Sequence, residues 1–221
     1  MTGGTPDLLT NSQNTFGGHV TVTYVPSSTW SSLYMPVGSI SQTVSTVVTD
    51  DGLGHSSSET YMYSGELYSS AERTSLGYQV AWIINTTLGS DTLTYFSQTP
   101  ASAGSATAVY DYDSLLNLLH YAMTTYAENN TVPYSSLVSR KQDVQYAASG
   151  SFSHSVAYAY DVYGNNTVES DFGDDAVSGD DKTVTTSYVP NTASYIVALP
   201  SVSDTSGSTA GRVSYIAYEY D

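Results

Sequence analysis

The stretch that most constrains this chain is residues 144–162, VQYAASGSFSHSVAYAYDV. Its even positions carry Val144, Tyr146, Phe152, His154, Val156, Tyr158 and Tyr160, and its odd positions carry Gln145 followed by Ser and Ala. Period-two alternation is the mark of a β-strand with two chemically distinct faces. As one strand, at about 3.3 Å per residue, it would run roughly 60 Å, well beyond ordinary strand length. Gly150, with small neighbours on both sides, therefore predicts a bend or bulge near Ser149 and Gly150. The expected outcome is a large aromatic packing face and a small Ser/Ala face that lets another layer approach closely.

The rest of the chain repeats the strand signal. Val, Thr, Ile and Tyr runs at 19–25, 40–49, 59–68, 77–88, 91–97, around Val109, and at 183–189, 194–199 and 212–220 read as strands. Asp50-Asp51-Gly52 is a turn signal, so 40–68 reads as a long hairpin with a mobile tip. Trp30 is a candidate anchor for the loop before it. One segment reads differently. Asp113 is a good N-cap, and Leu115, Leu118, Leu119, Ala122, Met123 and Tyr126 form an i, i+3, i+4, i+7 stripe. That spacing predicts an amphipathic helix over 113–128, ended by Asn129-Asn130 and Pro133, with a second helical turn at 135–140. The expected fold is mainly β, an antiparallel barrel or sandwich with this one helix. Residues 1–16 read as an irregular arm and 17–221 as a single domain. No internal repeat stands out.

Charge narrows the setting. Five Lys plus Arg face 21 Asp plus Glu, a net charge of −16, yet only 12% of residues are charged. The acidity comes from missing bases, which is the pattern of a chain adapted to concentrated salt, where the Debye length falls to about 3 Å at 1 M. The 21 tyrosines rule against a disordered acidic tail. A nucleic-acid surface needs clustered Lys/Arg, and Arg140-Lys141 is the only adjacent pair, so no direct nucleic-acid binding is expected. No apolar run is long enough for a transmembrane helix, and residues 1–13 lack the features of a signal peptide. Cysteine is absent, which removes disulfides and thiolate chemistry.

Candidate sites are few. The loop 169–181 holds Asp171, Asp174, Asp175, Asp180 and Asp181, hard oxygen ligands suited to Ca²⁺ or Mg²⁺, but their spacing does not follow the EF-hand pattern. We read it as a solvated acidic loop and assign no metal. His19, His55, His120 and His154 show no HxH or HExxH spacing, and no GxSxG elbow accompanies them. No catalytic residue and no cofactor is assigned, and the chain is read as non-enzymatic. Asn85, Asn129 and Asn165 match N-x-[ST], the last two in predicted turns. Tyr61, Tyr63, Tyr146, Tyr158, Tyr160, Tyr163, Tyr215, Tyr218 and Tyr220 are read partly as subunit contacts, because tyrosine joins apolar area to a polar tip.

Taken together, the missing cysteine, the halophile-like charge, the single β-domain and the tyrosine content resemble, in composition and size, the single-β-barrel major capsid proteins of icosahedral, membrane-containing haloarchaeal viruses. The resemblance implies a jelly roll that self-assembles into a virion shell with itself and other virion proteins, made in the host cytoplasm. It carries no motif and transfers no residue. Two other readings stand beside it: a tail-tube protein, with 40–68 as the overlapping hairpin and 113–128 as the flanking helix, and a carbohydrate- or receptor-binding β-module stacking sugars on Tyr and Trp30. The salt reading makes a direct prediction. Circular dichroism should show strand signal in concentrated salt and its loss in dilute buffer; full folding at low salt would overturn it.

Overall fold

The computed structural model describes residues 8–220. The chain groups into two compact units, 1–119 and 120–221. Both are built from antiparallel strands joined mostly to their sequence neighbours.

In the first unit, β1 (Asn11–Gln13) pairs with β2 (His19–Pro26), and β2 with β4 (Gln42–Asp50). The β2 and β4 sequences, HVTVTYVP and QTVSTVVTD, are rich in β-branched residues, whose stiff χ1 suits a pleated surface. β5 (Ser56–Ser69) is the spine. It takes β4 along its first part and β7 (Val80–Asn85) along its middle. The short strands β3 (Ser31–Tyr34, parallel) and β6 (Thr74–Gly77) pair with its last part. β8 (Ser90–Phe96) and β9 (Ala106–Tyr112) continue the meander. The expected 40–68 hairpin is therefore present as β4–β5.

Trp30 does anchor the β2–β4 connection. Its indole Nε1 donates to Thr43 Oγ1 at 2.8 Å, and its ring meets Tyr63 edge-on at 5.6 Å. Tyr63 in turn lies 5.0 Å from Tyr78. Burial, reinforced by the nearby Glu66 carboxylate, pushes the Tyr78 hydroxyl up to about 12. β6, paired with this end of β5, carries Leu76, which is only 6% exposed.

The second unit runs β10 (Leu118–Asn129), which starts at the boundary, then β11 (Ser135–Ala147), β12 (Gly150–Tyr160), β13 (Asn166–Asp171), β14 (Lys182–Tyr188), β15 (Pro200–Gly207) and β16 (Gly211–Ala217). Each pairs antiparallel with the next. A jelly roll needs strands that skip their neighbours in Greek-key fashion; this succession has none.

Several expectations change. The segment 113–128 is not a helix: 113–117 is a turn, and the leucine stripe continues as β10, ten of whose residues pair with β11. Residues 135–140 extend β11 rather than forming a helical turn. Residues 194–199 are not a strand. They begin on the last residue of a 3₁₀ turn (Thr192–Ser194), and the pairing moves to β15, which opens on Pro200, a position where the missing N–H is tolerated. Of the expected N-terminal arm, 1–7 lie outside the described residues, and 11–13 form β1.

The bend near Ser149 and Gly150 is real and is a full reversal: β11 ends at Ala147 and β12 begins at Gly150, whose φ is +136°. The reversal also changes which residues share a face. Across the hairpin, Val144 opposes Ser153, Tyr146 opposes Ser151 and Asp143 opposes His154. Opposed residues lie on the same face, so even positions of β11 join odd positions of β12. The aromatic and hydroxylic rows of the sequence are mixed on both faces.

Leu76 and Val144 are the apolar side chains buried below a tenth exposure among the described residues. Leu76→Ala is expected to lower stability by about 2 kcal/mol, the low end for a buried leucine. It would appear as a reduced urea midpoint at unchanged slope.

Candidate functional site

Four five-residue turns, at 14–18, 51–55, 113–117 and 161–165, share one hydrogen-bond plan. In each, the first residue's N–H donates to the fifth residue's carbonyl, at 2.9 to 3.1 Å. The first residue's side-chain oxygen then accepts the N–H groups of the third and fifth residues. Asn14 takes Phe16 and Gly18 at 2.9 and 3.0 Å. Asp51 takes Leu53 and His55 at 2.7 and 3.1 Å. Asp113 takes Leu115 and Asn117 at 2.8 and 2.9 Å, and Asp161 takes Tyr163 and Asn165 at 2.8 and 3.0 Å. The fourth residue is left-handed every time: Gly17, Gly54, Leu116 and Gly164 have φ of 91°, 98°, 61° and 84°.

The first and fifth residues are matched chemically. Where the first is Asp, the fifth supplies a side-chain partner for the second carboxylate oxygen: His55 Nδ1 at 2.7 Å, Asn117 Nδ2 at 2.9 Å and Asn165 Nδ2 at 2.9 Å. Where the first is Asn14, the fifth is Gly18, which has no side chain; a Cβ there would lie 2.9 Å from Asn14 Nδ2. An amide donor facing an amide donor would leave both unpaired, and this copy avoids that.

The bonds perturb the carboxyls as expected. The Leu53 N–H and then the His55 ring hold Asp51 below the ordinary carboxylate range. The Asn117 side chain and then its N–H do the same for Asp113. At Asp161 desolvation opposes ionisation, but the donors from Asn165, Tyr163 and Gly164 together outweigh it.

Each histidine meets an aspartate rather than a serine. His120 Nε2 lies 2.6 Å from Asp143 Oδ2, and His154 Nε2 lies 2.7 Å from Asp171 Oδ1. His55 pairs with Asp51, and His19 Nδ1 is 3.9 Å from Asp50. The serines flanking His154 belong to the opposite face of β12. There Ser153 and fully buried Ser155 donate to Asp175 Oδ2 at 2.5 and 2.8 Å. A nucleophile–base pair needs direct contact, and β12 places these serines and this imidazole on opposite sides.

Three carboxylates of the acidic loop are used within it, while Asp175 is used by β12. Asp171 accepts the Gly173 N–H, Asp174 accepts the Ala176 N–H, and Asp180 accepts the Asp174 N–H. Among the described residues no three His, Asp or Glu groups converge as a metal site. The N-x-[ST] asparagines serve turns as well. Asn85 accepts the Thr87 and Leu88 N–H groups, Asn129 Nδ2 donates to the Pro133 carbonyl, and Asn165 Nδ2 donates to Asp161 and to the Val197 carbonyl.

The repeated turn is the element that strand-by-strand reading misses. Its signal was available in the sequence: Tyr-x-Tyr-Asp recurs at 110–113, 158–161 and 218–221, and in the first two copies Asn follows four residues after the Asp. The unequal spacing of the copies hides it from a search for a fixed period.

No family model and no curated protein matches the sequence. Solved structures do match in fold. The structure of TcdB2-TccC3-Cdc42 matches 92% of this chain with a TM-score of 0.68 at 13% identity. That of TcdB2-TccC3 without its hypervariable C-terminal region matches 88% with a TM-score of 0.67 at 12% identity, and TcdB2-TccC3-TEV matches 88% with 0.65 at 12%. The chain spans about 15% of the length of each of these chains. At such identity the likeness is one of fold.

Depressed carboxyls contribute stability above the ordinary carboxylate value of about 4 and lose it as pH falls through the folded-state value. The thermal midpoint should therefore fall below about pH 4. A combined Asp51→Asn, Asp113→Asn, Asp161→Asn variant should start lower at neutral pH and fall less steeply on acidification, as followed by circular dichroism. Separately, Gly164→Val is expected to cost about 1–2 kcal/mol through left-handed strain alone, measured by urea denaturation.

Proposed function

We propose that this chain is a non-enzymatic structural segment, a strip of pinned hairpins that forms wall in a larger β-assembly. The observation that carries this reading is the recurring turn, which places the same closure at four strand connections and spends polar groups on holding strands. The fold likeness supports it, since the matched stretch is a small part of much longer chains. The acidic, lysine-poor composition supports placing the wall in concentrated salt, and a virion shell or tail of a halophilic archaeal virus is one setting that fits. The carbohydrate-binding reading is weakened, because Trp30 is occupied with Thr43 and Tyr63.

Assembly would proceed through β16. All seven of its residues are exposed, including Val213, Tyr215 and Ile216. Among the described residues it pairs only with β15. An exposed apolar edge strand is a template for another strand, and the partner we assign is a second copy of this chain, edge to edge. In concentrated salt, sedimentation and negative-stain microscopy should show wild-type protein forming ordered oligomers. Val213→Lys with Ile216→Lys should hold it monomeric at unchanged circular dichroism. A wild-type protein that stays monomeric at every concentration and salt would overturn this route of assembly.

A further inference from the structure

A carboxylate in the first unit has no partner. Asp91 on β8 is 6% exposed, and among the described residues nothing donates a hydrogen bond to it or forms an ion pair with it. Its carboxylate oxygens are not among the sealed, unpartnered polar atoms, so they keep an open side on which a cation or water can sit. The register puts Tyr112 directly opposite Asp91 on one side and Ile84 on the other, with Trp82 opposite Leu93 on the same face. Trp82, Asp91, Leu93, Tyr112 and Leu116 line a cavity of about 220 Å³. Its walls are an indole, a phenol ring and two leucines, and its one charge is the Asp91 carboxylate.

Leu116 is the second observation. It occupies the fourth position of the 113–117 turn, where the other three turns have glycine. A left-handed conformation costs a residue with a Cβ roughly 1–2 kcal/mol, and strain kept at one copy of a repeated element marks a site. Leu116 is 64% exposed, so burial of its own side chain does not explain the choice; it stands at the rim of the Asp91 cavity.

We propose that this cavity binds a small organic ammonium ion, with its charge on Asp91 and its apolar body between Trp82, Tyr112 and Leu116. Arg73 is the only Lys or Arg in residues 1–119, and among the described residues no ion pair joins it to Asp91. Calcium and magnesium keep a shell of oxygen ligands and bound waters, and carbon walls around a single carboxylate offer those waters no partners. An alkylated ammonium is weakly hydrated and is attracted to aromatic faces, best of all to indole.

The test is a titration of the folded full chain in concentrated sodium chloride with benzyltrimethylammonium, followed by tryptophan fluorescence, with benzyl alcohol as the neutral probe and an equal addition of potassium chloride as the inorganic one. Saturable binding of the ammonium compound, weak or absent binding of the alcohol, and loss of the fluorescence change in Trp82→Phe are expected. Asp91→Asn should weaken binding at least tenfold. Leu116→Gly should leave the thermal midpoint unchanged or raised, because it relieves the strained φ, and should still weaken binding several-fold. Equal binding by Asp91→Asn or by benzyl alcohol would overturn the proposal. So would potassium chloride reproducing the fluorescence change, or a folded wild-type protein that binds no ammonium probe, which would leave Asp91 as a hydrated carboxylate.

Discussion

The hydrogen bonds from two backbone N–H groups to one Asp or Asn side chain hold four of this structure's strand connections in place. A hairpin loop longer than two residues leaves donors with no ladder partner, and open turns cost entropy to order. Here a single side chain collects the third and fifth N–H groups, and a left-handed fourth residue turns the chain back. The strands on either side then start in a fixed register. That matters because a slip of one residue would exchange the faces of an entire strand.

Local closure compensates for a thin core. Two apolar side chains are deeply buried among the described residues, so little stability comes from a central hydrophobic cluster. Cross-strand ladders and edge contacts take its place. Trp30, Tyr63 and Tyr78 form a chain of aromatic contacts, Tyr95 meets Tyr110 edge-on at 6.0 Å, and the Arg140 guanidinium lies 5.3 Å above the Phe172 ring. Tyrosine suits such a sheet because each ring packs while its hydroxyl still reaches a partner. Tyr160 donates to the Val138 carbonyl, Tyr188 to that of Asn166, and Tyr220 to that of Pro200. The richness in tyrosine that suggested subunit contacts is at least partly explained inside each unit.

Strands such as β4, β7 and β8 were legible from β-branched and aromatic runs, and the reversal at Gly150 from excessive strand length. The 113–128 segment was misread for an instructive reason. Asp113 does cap N–H groups, as an N-cap would, but those of a turn rather than of a first helical turn. The leucine stripe that follows satisfies a helical period over a short window. Yet Tyr121, Thr124, Thr125 and Tyr126 favour a pleated surface, and pairing with β11 decides the outcome. The sorting of residues 144–162 into an aromatic and a hydroxylic face failed because parity along a chain survives only while the strand stays single. The Asp91 cavity was not legible at all, because Trp82, Asp91 and Tyr112 come from three strands and meet only through register.

Because every pin is made within five consecutive residues, each of the four pinned turns closes without reference to the rest of the molecule. A pair of strands with its own turn can be added or lost and leave the register of its neighbours intact. The pinned turns make a chain of this kind tolerant of changes in length by whole hairpins, because strand spacing is set locally at each of them.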